Sequence, residues 1–410
     1  MDRDVLRQLA WMYYSYARDD RMAKNKRLHM AVNDLEMLRP VVLLDTIPWH
    51  ELDCPDDALT LQCDDPFLRE VEWFLRTTIY QYKNMPGDMI IPPYLPVKKI
   101  ITNSGIGVDI HEDTLKTDER NDIVSQKYFD QFETAADLER IRFPTISYNE
   151  VETIRRYEML GELVGDIIPV KLQGRSYFGV TIWDEIAQYR GVTNLLVDLY
   201  DRPDFSHKLV SILTDIALSR LEQFEALDLF DNEPAELHCT PALTKALPSA
   251  GYNGANKVTR KDVWGRGAAQ IFASVSREMH DEFDIEYMKR TVGQCGLVYY
   301  GCCEPLDKKI DIVAKIPNLR KISISPWADV EASAEAINTQ FVLSVKPHPS
   351  SVAVAQLDED ALRKEIGKII GACKKHKCAC DIVLKDISTC GHNPTNLIRW
   401  EQIVMDMVMG

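Results

Sequence analysis

The sequence lacks the features of several large protein classes. No apolar run approaches the roughly 18 residues that would suggest a membrane span, and the first residues lack the basic region and apolar stretch of a secretory signal. The net charge is −15 over 410 residues, which disfavours a nucleic-acid partner because phosphate binding relies on clustered Lys and Arg. We therefore expect a cytoplasmic protein that binds neither nucleic acid nor a membrane.

Common nucleotide and esterase motifs are missing as well. Gly105-Ile106-Gly107 lacks the third glycine of a dinucleotide fingerprint, and no Gly-Lys-Ser or Gly-Lys-Thr phosphate loop occurs. No Gly-x-Ser-x-Gly elbow is present, which excludes the commonest type of esterase. Cysteine, by contrast, is plentiful. The ten cysteines of an intracellular chain should be mostly reduced thiols that fill the core, bind metal or react.

From about residue 140, short apolar runs alternate with helical segments. Helices are predicted over 204–227, 276–293, 328–339 and 358–373. Strands are predicted over 167–172, 236–239, 270–274, 296–300, 320–323, 341–345 and 381–387, with one more from 89–102. The glycine-rich segment 264–267 is interpreted as a tight turn before a strand. Eight alternations predict a closed (β/α)8 TIM barrel of the α/β class.

The first 85 residues have a different pattern. Residues 5–16 are aromatic and apolar at helical spacing, and Asp65 followed by Pro66 is typical of a helix start. A short strand-like run covers 41–45. We expect residues 1–85 to form a helical extension packed on the barrel, and residues 86–410 to form one catalytic barrel domain.

Active sites lie at the carboxyl ends of barrel strands, so the barrel prediction separates candidate site residues from residues of the scaffold. Cys302 and Cys390 follow two separate predicted strands and could meet in space, which is the layout of a metal site. His238 and Cys239 lie at the end of a third predicted strand, and thiolate and imidazole are good zinc ligands. The other candidates at strand ends are the catalytic acids, bases or proton donors Glu304, Lys346, His348 and Asp386.

The sequence leaves open which of these side chains would bind the metal. Cys302 and its neighbour Cys303 cannot easily both point inward, and the same holds for His238 and Cys239. Glu304 is either a ligand or an acid that orients one. Packing in the core is the alternative for every cysteine, since buried thiols often behave as small hydrophobic groups. The cluster at 373–380 precedes the last strand and contains three lysines, so we expect it to be structural.

Two segments carry a family resemblance. Tyr300-Gly301-Cys302-Cys303-Glu304-Pro305-Leu306 and the stretch 316–329 resemble the uroporphyrinogen decarboxylase superfamily, with similarity from about residue 140 to the end and a weaker match through 65–91. The resemblance implies a β/α barrel. True decarboxylases of this family carry a Met-Arg-Gln-Ala-Gly-Arg segment near the amino terminus, which this sequence lacks. The other branch contains zinc-dependent methyltransferases that exchange methyl groups with a corrinoid protein.

In the coenzyme M members of that branch, a His-x-Cys and a later Cys hold zinc. Cys302 matches the first cysteine and Cys390 the last. The histidine position falls on Tyr300, a poor zinc ligand, so the resemblance implies a third ligand from elsewhere. His238, Cys239, Cys303 and Glu304 are the candidates.

The resemblance implies an anaerobic O-demethylation system. This chain would be the methyltransferase that moves a methyl group from a small substrate to the cobalt of a separate corrinoid protein, with zinc as Lewis acid. Aromatic residues near predicted strand ends favour a methoxylated aromatic donor; they are Tyr94, Tyr177, Phe178, Trp183 and Trp327. A homodimer is one assembly to be considered. The alternatives are a metal-independent decarboxylase or lyase, with Lys171, Arg175, Arg266 and Lys346 holding carboxylates, and a catalytically silent binding barrel.

Overall fold

A computed structural model describes residues 2–52, 57–116, 124–233 and 237–410. The α-helices are α1 (Asp2–Ala17), α2 (Asp20–Asn33), α3 (Pro66–Asn84), α4 (Glu150–Val164), α5 (Ile182–Arg190), α6 (Val192–Asp201), α7 (Pro203–Ala226), α8 (Arg277–His280), α9 (Glu286–Arg290), α10 (Ile310–Val313), α11 (Val330–Ile337), α12 (Glu359–His376) and α13 (Thr395–Met409). A π-helical turn, Asp281–Ile285, joins α8 to α9. Within these ranges no helix is long and apolar enough to cross a membrane.

The strands form one large sheet and three small pairs. The strands are β1 (Val41–Leu44), β2 (Leu95–Lys98), β3 (Ile101–Asn103), β4 (Glu112–Lys116), β5 (Val124–Tyr128), β6 (Ile146–Tyr148), β7 (Val170–Gln173), β8 (Tyr177–Val180), β9 (Trp264–Gly267), β10 (Leu297–Tyr300), β11 (Leu319–Ile324), β12 (Val342–Val345) and β13 (Cys380–Leu384). The large sheet is entirely parallel in the order β1-β13-β12-β11-β10-β9-β8. The small pairs are β2-β7, β3-β6 and β4-β5.

The large sheet is strongly curled. Strands β10 and β13 are three steps apart in the order, so a flat sheet would separate them by roughly 14 Å at the usual spacing of about 4.8 Å. Yet the Sγ atom of Cys303, just after β10, lies 3.6 Å from a carboxylate oxygen of Asp386, just after β13. The chain is thus an α/β protein with a curled parallel sheet of seven strands among the described residues. A closed eight-stranded barrel stays a prediction.

Most predicted strands and helices are confirmed, and two strands are misplaced. The predicted strand 270–274 is a 3-10 helix, Gln270–Ser274, and the segment interpreted as a turn is strand β9. Its glycines hid it, because glycine is rare in strands. The fold needs them: a Cβ on Gly265 would lie 2.8 Å from the Val292 carbonyl oxygen, and one on Gly267 would lie 3.0 Å from the Tyr300 ring.

The predicted strand 236–239 is the other error. Glu236 lies outside the described residues, and 237–240 form a tight turn instead of a strand. The backbone explains this, since His238 and Cys239 have positive φ angles of 23° and 60°. L-residues in that region cannot continue a strand.

The amino-terminal region follows the sequence pattern closely. Pro66 is the first residue of α3, and the Asp65 side chain accepts a hydrogen bond from the Leu68 N–H at 3.0 Å. Strand β1 lies in this region and pairs in parallel with β13, so the first 85 residues contribute an edge of the main sheet. A domain division at residue 85 stays a prediction.

Candidate functional site

A cluster of thiols, an imidazole and a lysine lies at the carboxyl ends of β10 and β13. The Sγ atom of Cys302 lies 3.8 Å from Nε2 of His238 and 3.8 Å from Sγ of Cys303. Nζ of Lys385 lies 3.3 Å from the Cys302 sulfur and 3.7 Å from the Cys303 sulfur. Cys302 is buried, whereas His238 and the neighbouring Asp386 are exposed. We call these five residues the Cys302 cluster.

The electrostatics of the cluster favour a thiolate at Cys302. A hydrogen bond from the Cys303 thiol lowers the pKa of Cys302. Burial opposes this lowering, whereas His238 and the positive charges of Lys385 and Arg266 add to it. The pKa of the Cys303 thiol is raised in turn, because it donates to Cys302 and is partly buried. Cys302 is therefore the ionised member of the pair.

Lys385 is the counterion of this thiolate. Burial lowers the pKa of Lys385, but the charge of Cys302 and a hydrogen bond to Asp386 outweigh burial and raise it above the usual value. The Lys385 ammonium lies 2.7 Å from the Asp386 carboxylate, an oxygen of which lies 3.6 Å from the Cys303 sulfur. Asp386 was predicted as catalytic, and the structure places it at the open edge of the cluster.

Two buried lysines brace the turn that presents His238. Nζ of Lys346 donates to the Cys239 carbonyl at 2.7 Å, and Nζ of Lys321 donates to the Thr240 hydroxyl at 2.9 Å. Both lysines share the buried carboxylate of Asp381, at 3.7 Å and 2.9 Å. Backbone in the left-handed region costs about 1–3 kcal/mol per residue unless its surroundings hold it. Lys346 thus acts as a positioning residue for the imidazole.

The turn places the side chains of His238 and Cys239 in different surroundings. The imidazole of His238 faces Cys302, whereas burial raises the pKa of the Cys239 thiol to about 12 and a hydrogen bond with Asp45 adds to the rise. Cys239 is therefore a protonated thiol that contacts Asp45, which directly follows β1.

Glu304 lies beneath the cluster and is fully buried. Its carboxylate accepts hydrogen bonds from the Cys302 N–H at 3.0 Å and the Ala269 N–H at 3.3 Å. Burial raises its pKa to about 7. Glu304 therefore joins the ends of β9 and β10 and fixes the backbone of Cys302, which is the orienting role among the two considered.

Cys390 does not join the cluster. Its thiol and its N–H both donate to one carboxylate oxygen of Glu51, at 3.3 Å and 2.8 Å, and the N–H of His392 donates to the same oxygen at 3.1 Å. Burial, followed by the hydrogen bond to Glu51, raises the pKa of the Cys390 thiol to about 12. Cys390 is a protonated, buried thiol in this structure.

His348 also lies apart from Cys302. Its Nδ1 accepts a hydrogen bond from the Ser350 hydroxyl at 2.8 Å, and its ring meets Trp327 edge-on with centroids 5.7 Å apart. Among the residues described, no hydrogen bond joins His348 to the Cys302 cluster. A catalytic role for it stays a prediction without geometric support.

The side chains of the site do not form a complete set of zinc ligands. Cys302 and His238 have a separation suited to two ligands of one tetrahedral ion. The third predicted ligand, Cys390, is held by Glu51, and the ammonium of Lys385 contacts both sulfurs where a second cation would be repelled. In the described part of the chain, no group of three His, Cys, Asp or Glu side chains is arranged to hold a metal. The residues as placed do not fit a three-ligand zinc site.

Lys385 and Asp45 were missed by sequence reasoning. Lys385 stands directly before Asp386, and alternation along β13 puts Asp381, Val383 and Lys385 on one face. Because Lys321 and Lys346 both contact Asp381 inside the curl, that face is the concave one. The signal was a lysine on the inner face of a buried strand. Asp45 ends the strand-like run 41–45, but the extension was not expected to join the main sheet.

Comparison with known proteins gives a likeness of fold. No family model matches the chain, and no curated protein matches it by sequence. A solved structure of a methyltransferase from Methanosarcina mazei superposes with a TM-score of 0.51 at 12% identity, over 94% of this chain and 99% of that one. At such low identity the likeness shows the fold alone, and the chain shares the overall architecture of a methyltransferase.

Proposed function

We propose that this chain is a methyltransferase that moves a methyl group from a small methylated substrate to the cobalt of a corrinoid protein. The observation that carries the proposal is the Cys302 cluster, a thiolate beside a lysine and an accessible imidazole at the carboxyl ends of the parallel sheet. The fold shared with a methyltransferase and the resemblance to the corrinoid-dependent branch of the uroporphyrinogen decarboxylase superfamily support it.

The cluster supplies the stabilisation that such a transfer needs. Reduced cobalt(I) of the partner attacks the methyl carbon, the bond from that carbon to oxygen or sulfur breaks, and the electron pair of this bond stays on the leaving group. The leaving group thus gains negative charge. Lys385, whose ammonium form is favoured, stabilises that charge in a buried setting where such interactions are strong. His238, exposed above Cys302, is placed to give the leaving group a proton.

An aromatic cavity near the cluster suits a small apolar substrate. A cavity of about 560 Å³, within the range of ligand pockets, lies past the end of β1 and is lined by Tyr13, Asp45, Trp49 and Phe74 among others. Asp45 also contacts the Cys239 thiol, next to His238. None of these aromatic residues was among the predicted ones; Trp183, for example, is fully buried in the core.

The decarboxylase alternative receives less support. Of the four cations proposed to hold carboxylates, Lys171 forms a surface ion pair with Glu233 at 3.0 Å, and the Arg175 guanidinium lies over the Phe224 ring. Lys346 is occupied by the Cys239 carbonyl. These three cations therefore do not gather around one substrate.

Methyl transfer to cob(I)alamin tests the proposal directly. The protein, purified without air, is mixed with reduced cobalamin and a panel of methyl ethers and thioethers, and methylcobalamin is followed by its absorbance. Cys302→Ser is the test variant and Cys295→Ser, a buried cysteine in the core, is the control. We expect transfer by the wild type and the control and none by Cys302→Ser. Transfer that survives Cys302→Ser would refute the role of the cluster.

Zinc is measured in the same preparations. No three His, Cys, Asp or Glu side chains among the described residues are arranged to hold one metal ion, so no step is assigned to the metal. About one zinc per chain, lost in Cys302→Ser, would add a Lewis acid to the proposal. Release of carbon dioxide from an added carboxylic acid, without methyl transfer, would favour the decarboxylase instead.

A further inference from the structure

Among the residues that the structure describes, Arg266 is a buried cation without a hydrogen-bonded or ion-paired partner. Its side chain is 8% exposed, its Nε has no hydrogen-bond partner, and no hydrogen bond or ion pair of its guanidinium occurs among the residues that the structure describes. Two other arginines are equally buried. Arg76 (8% exposed) is paired with Glu72 at 2.7 Å, and Arg190 (7%) is paired with Asp198 at 2.7 Å. Arg266 is the exception.

A buried charge without a hydrogen-bonded partner is unfavourable, and buried charges in proteins are generally paired. An external anion would supply the pairing that Arg266 lacks. The position of Arg266 fits this, because it lies at the carboxyl end of β9, one residue before that strand ends. Its charge acts on the Cys302 thiol, so the guanidinium is close to the proposed reaction centre.

The space around Arg266 faces the inside of the curled sheet. Trp264, two residues earlier on the same face, packs with Leu297 and Tyr299 in an inner cluster. The residue paired with Arg266 on β8 is Gly179, which contributes no side chain on this face; the nearest atom to its Cβ position belongs to the Tyr177 ring, at 3.4 Å.

The neighbouring charges select the kind of anion. Asp184 lies near Arg266; burial raises the pKa of Asp184 to about 6, and the Arg266 charge opposes the rise. The Cys302 thiolate is the second negative group nearby. A dianion such as phosphate would meet both, whereas a carboxylate carries a single charge and matches the planar guanidinium through two parallel hydrogen bonds.

We infer that Arg266 binds a carboxylate of the substrate, which makes the methyl donor a methylated carboxylic acid. The methyl part of this inference rests on the proposed function, and the carboxylate part does not. Arg266 then determines specificity, and it holds the acid end of the substrate while the methyl group is presented at the Cys302 cluster.

Binding of an acid and its neutral amide tests the inference. Isothermal titration of the whole protein with 3-methoxybenzoate and with 3-methoxybenzamide compares nearly isosteric ligands that differ in charge. A hydrogen-bonded charge is worth about 1.5–3 kcal/mol, so we expect the wild type to bind the acid roughly 10- to 100-fold more tightly. Arg266→Gln should lose that preference, and Arg399→Gln, in an exposed pair with Glu359, should keep it.

Several results would overturn the inference that Arg266 binds a carboxylate. Equal binding of acid and amide by the wild type, unchanged acid binding by Arg266→Gln, or no saturable binding of methoxybenzoate, benzoate or methoxyacetate would overturn the inference. If Arg266→Gln does not fold, Arg266→Lys decides: it keeps the charge but loses the planar fork, and we expect acid binding weakened at least several-fold. Acid binding at Arg266 without methyl transfer would remove the proposed function alone. Methyl transfer from neutral donors, unaffected in Arg266→Gln, would remove this inference alone.

Discussion

Cys302 and Cys390 follow two strands of one sheet, and their surroundings are opposite. Cys302 lies beside an ammonium and an imidazole, which stabilise a thiolate. Cys390 lies beside the carboxylate of Glu51, which stabilises a protonated thiol. The same residue type at equivalent ends of strands thus has neighbours that favour the thiolate in one region and is a hydrogen-bond donor in the other. The charge of the neighbours, more than the position in the fold, separates the two roles.

Removing each thiol in turn is the strongest test of the difference between Cys302 and Cys390. We expect Cys302→Ser to lower methyl transfer by about 10³-fold, because the Cys302 thiolate positions the Lys385 ammonium that stabilises the charge of the leaving group. Cys390→Ala should keep the rate within about threefold, because Cys390 does not contact the cluster. The rates are measured with cob(I)alamin as acceptor. An equal loss in Cys390→Ala, with an unchanged melting temperature, would place Cys390 in the site and revive the three-ligand zinc set.

Glu51 should matter to stability and little to chemistry. Glu51→Gln keeps the shape but loses the charge that accepts three hydrogen bonds, so we expect a loss of about 1–3 kcal/mol in the free energy of unfolding. Urea denaturation measures this, with the exposed Glu359→Gln as control. A variant as stable as the wild type would show that these bonds contribute no net energy.

The pH dependence of that loss has a defined sign. Burial raises the pKa of Glu51, but hydrogen bonds from Thr389, Cys390 and His392 outweigh burial and lower it to about 2. A carboxyl group whose pKa is lowered by folding stabilises the protein above the unfolded pKa, which is 4.5, and loses that contribution as the pH falls towards 2. The gap between wild type and Glu51→Gln should therefore be full above pH 5 and shrink below pH 4.

The effect of Lys385 on the pKa of Cys302 can be measured directly. Alkylation of Cys302 by iodoacetamide, followed by mass spectrometry between pH 3 and 8, reports the thiolate fraction. Lys385→Gln removes a positive charge, so the pKa of Cys302 should rise and the midpoint of the profile should move up by about one pH unit, which is about tenfold in rate on the acid side. Lys375→Gln, in an exposed pair with Glu331, is the control. An unmoved midpoint would mean that Lys385 is not the counterion.

The smallest effect is expected at the turn that carries His238. Thr240→Val keeps the shape of the side chain but removes hydroxyl contacts with Lys321, Ser344 and Asp381. Each net hydrogen bond is worth about 0.5–1.5 kcal/mol, so a modestly looser turn should lower methyl transfer roughly two- to tenfold. A variant with full activity and lower stability would show that the turn needs no such bracing for chemistry.

The Cys302 cluster could be predicted from the sequence because apolar runs predict the strands, and site residues lie at the carboxyl ends of strands. This rule brought together Cys302, His238 and Asp386. It could not exclude Cys390, since the carboxylate that holds Cys390 comes from residue 51. The helix at Pro66 followed from a local cap. Strand β9 was missed because its two glycines are required by close packing with residues that are distant in the sequence. The turn that carries His238 was missed because it is held by buried charges on strands far away in the chain.

The bond between Glu51 and Cys390 spans 339 residues of chain. During synthesis Glu51 emerges first, and at about 5–20 residues per second its partner follows roughly 20 to 70 seconds later. The pairing of β1 with β13 has the same delay, because it also joins the first strand to the last. One edge of the sheet therefore stays open until β13 has been synthesised, and throughout that interval β1 exposes backbone groups that β13 later pairs.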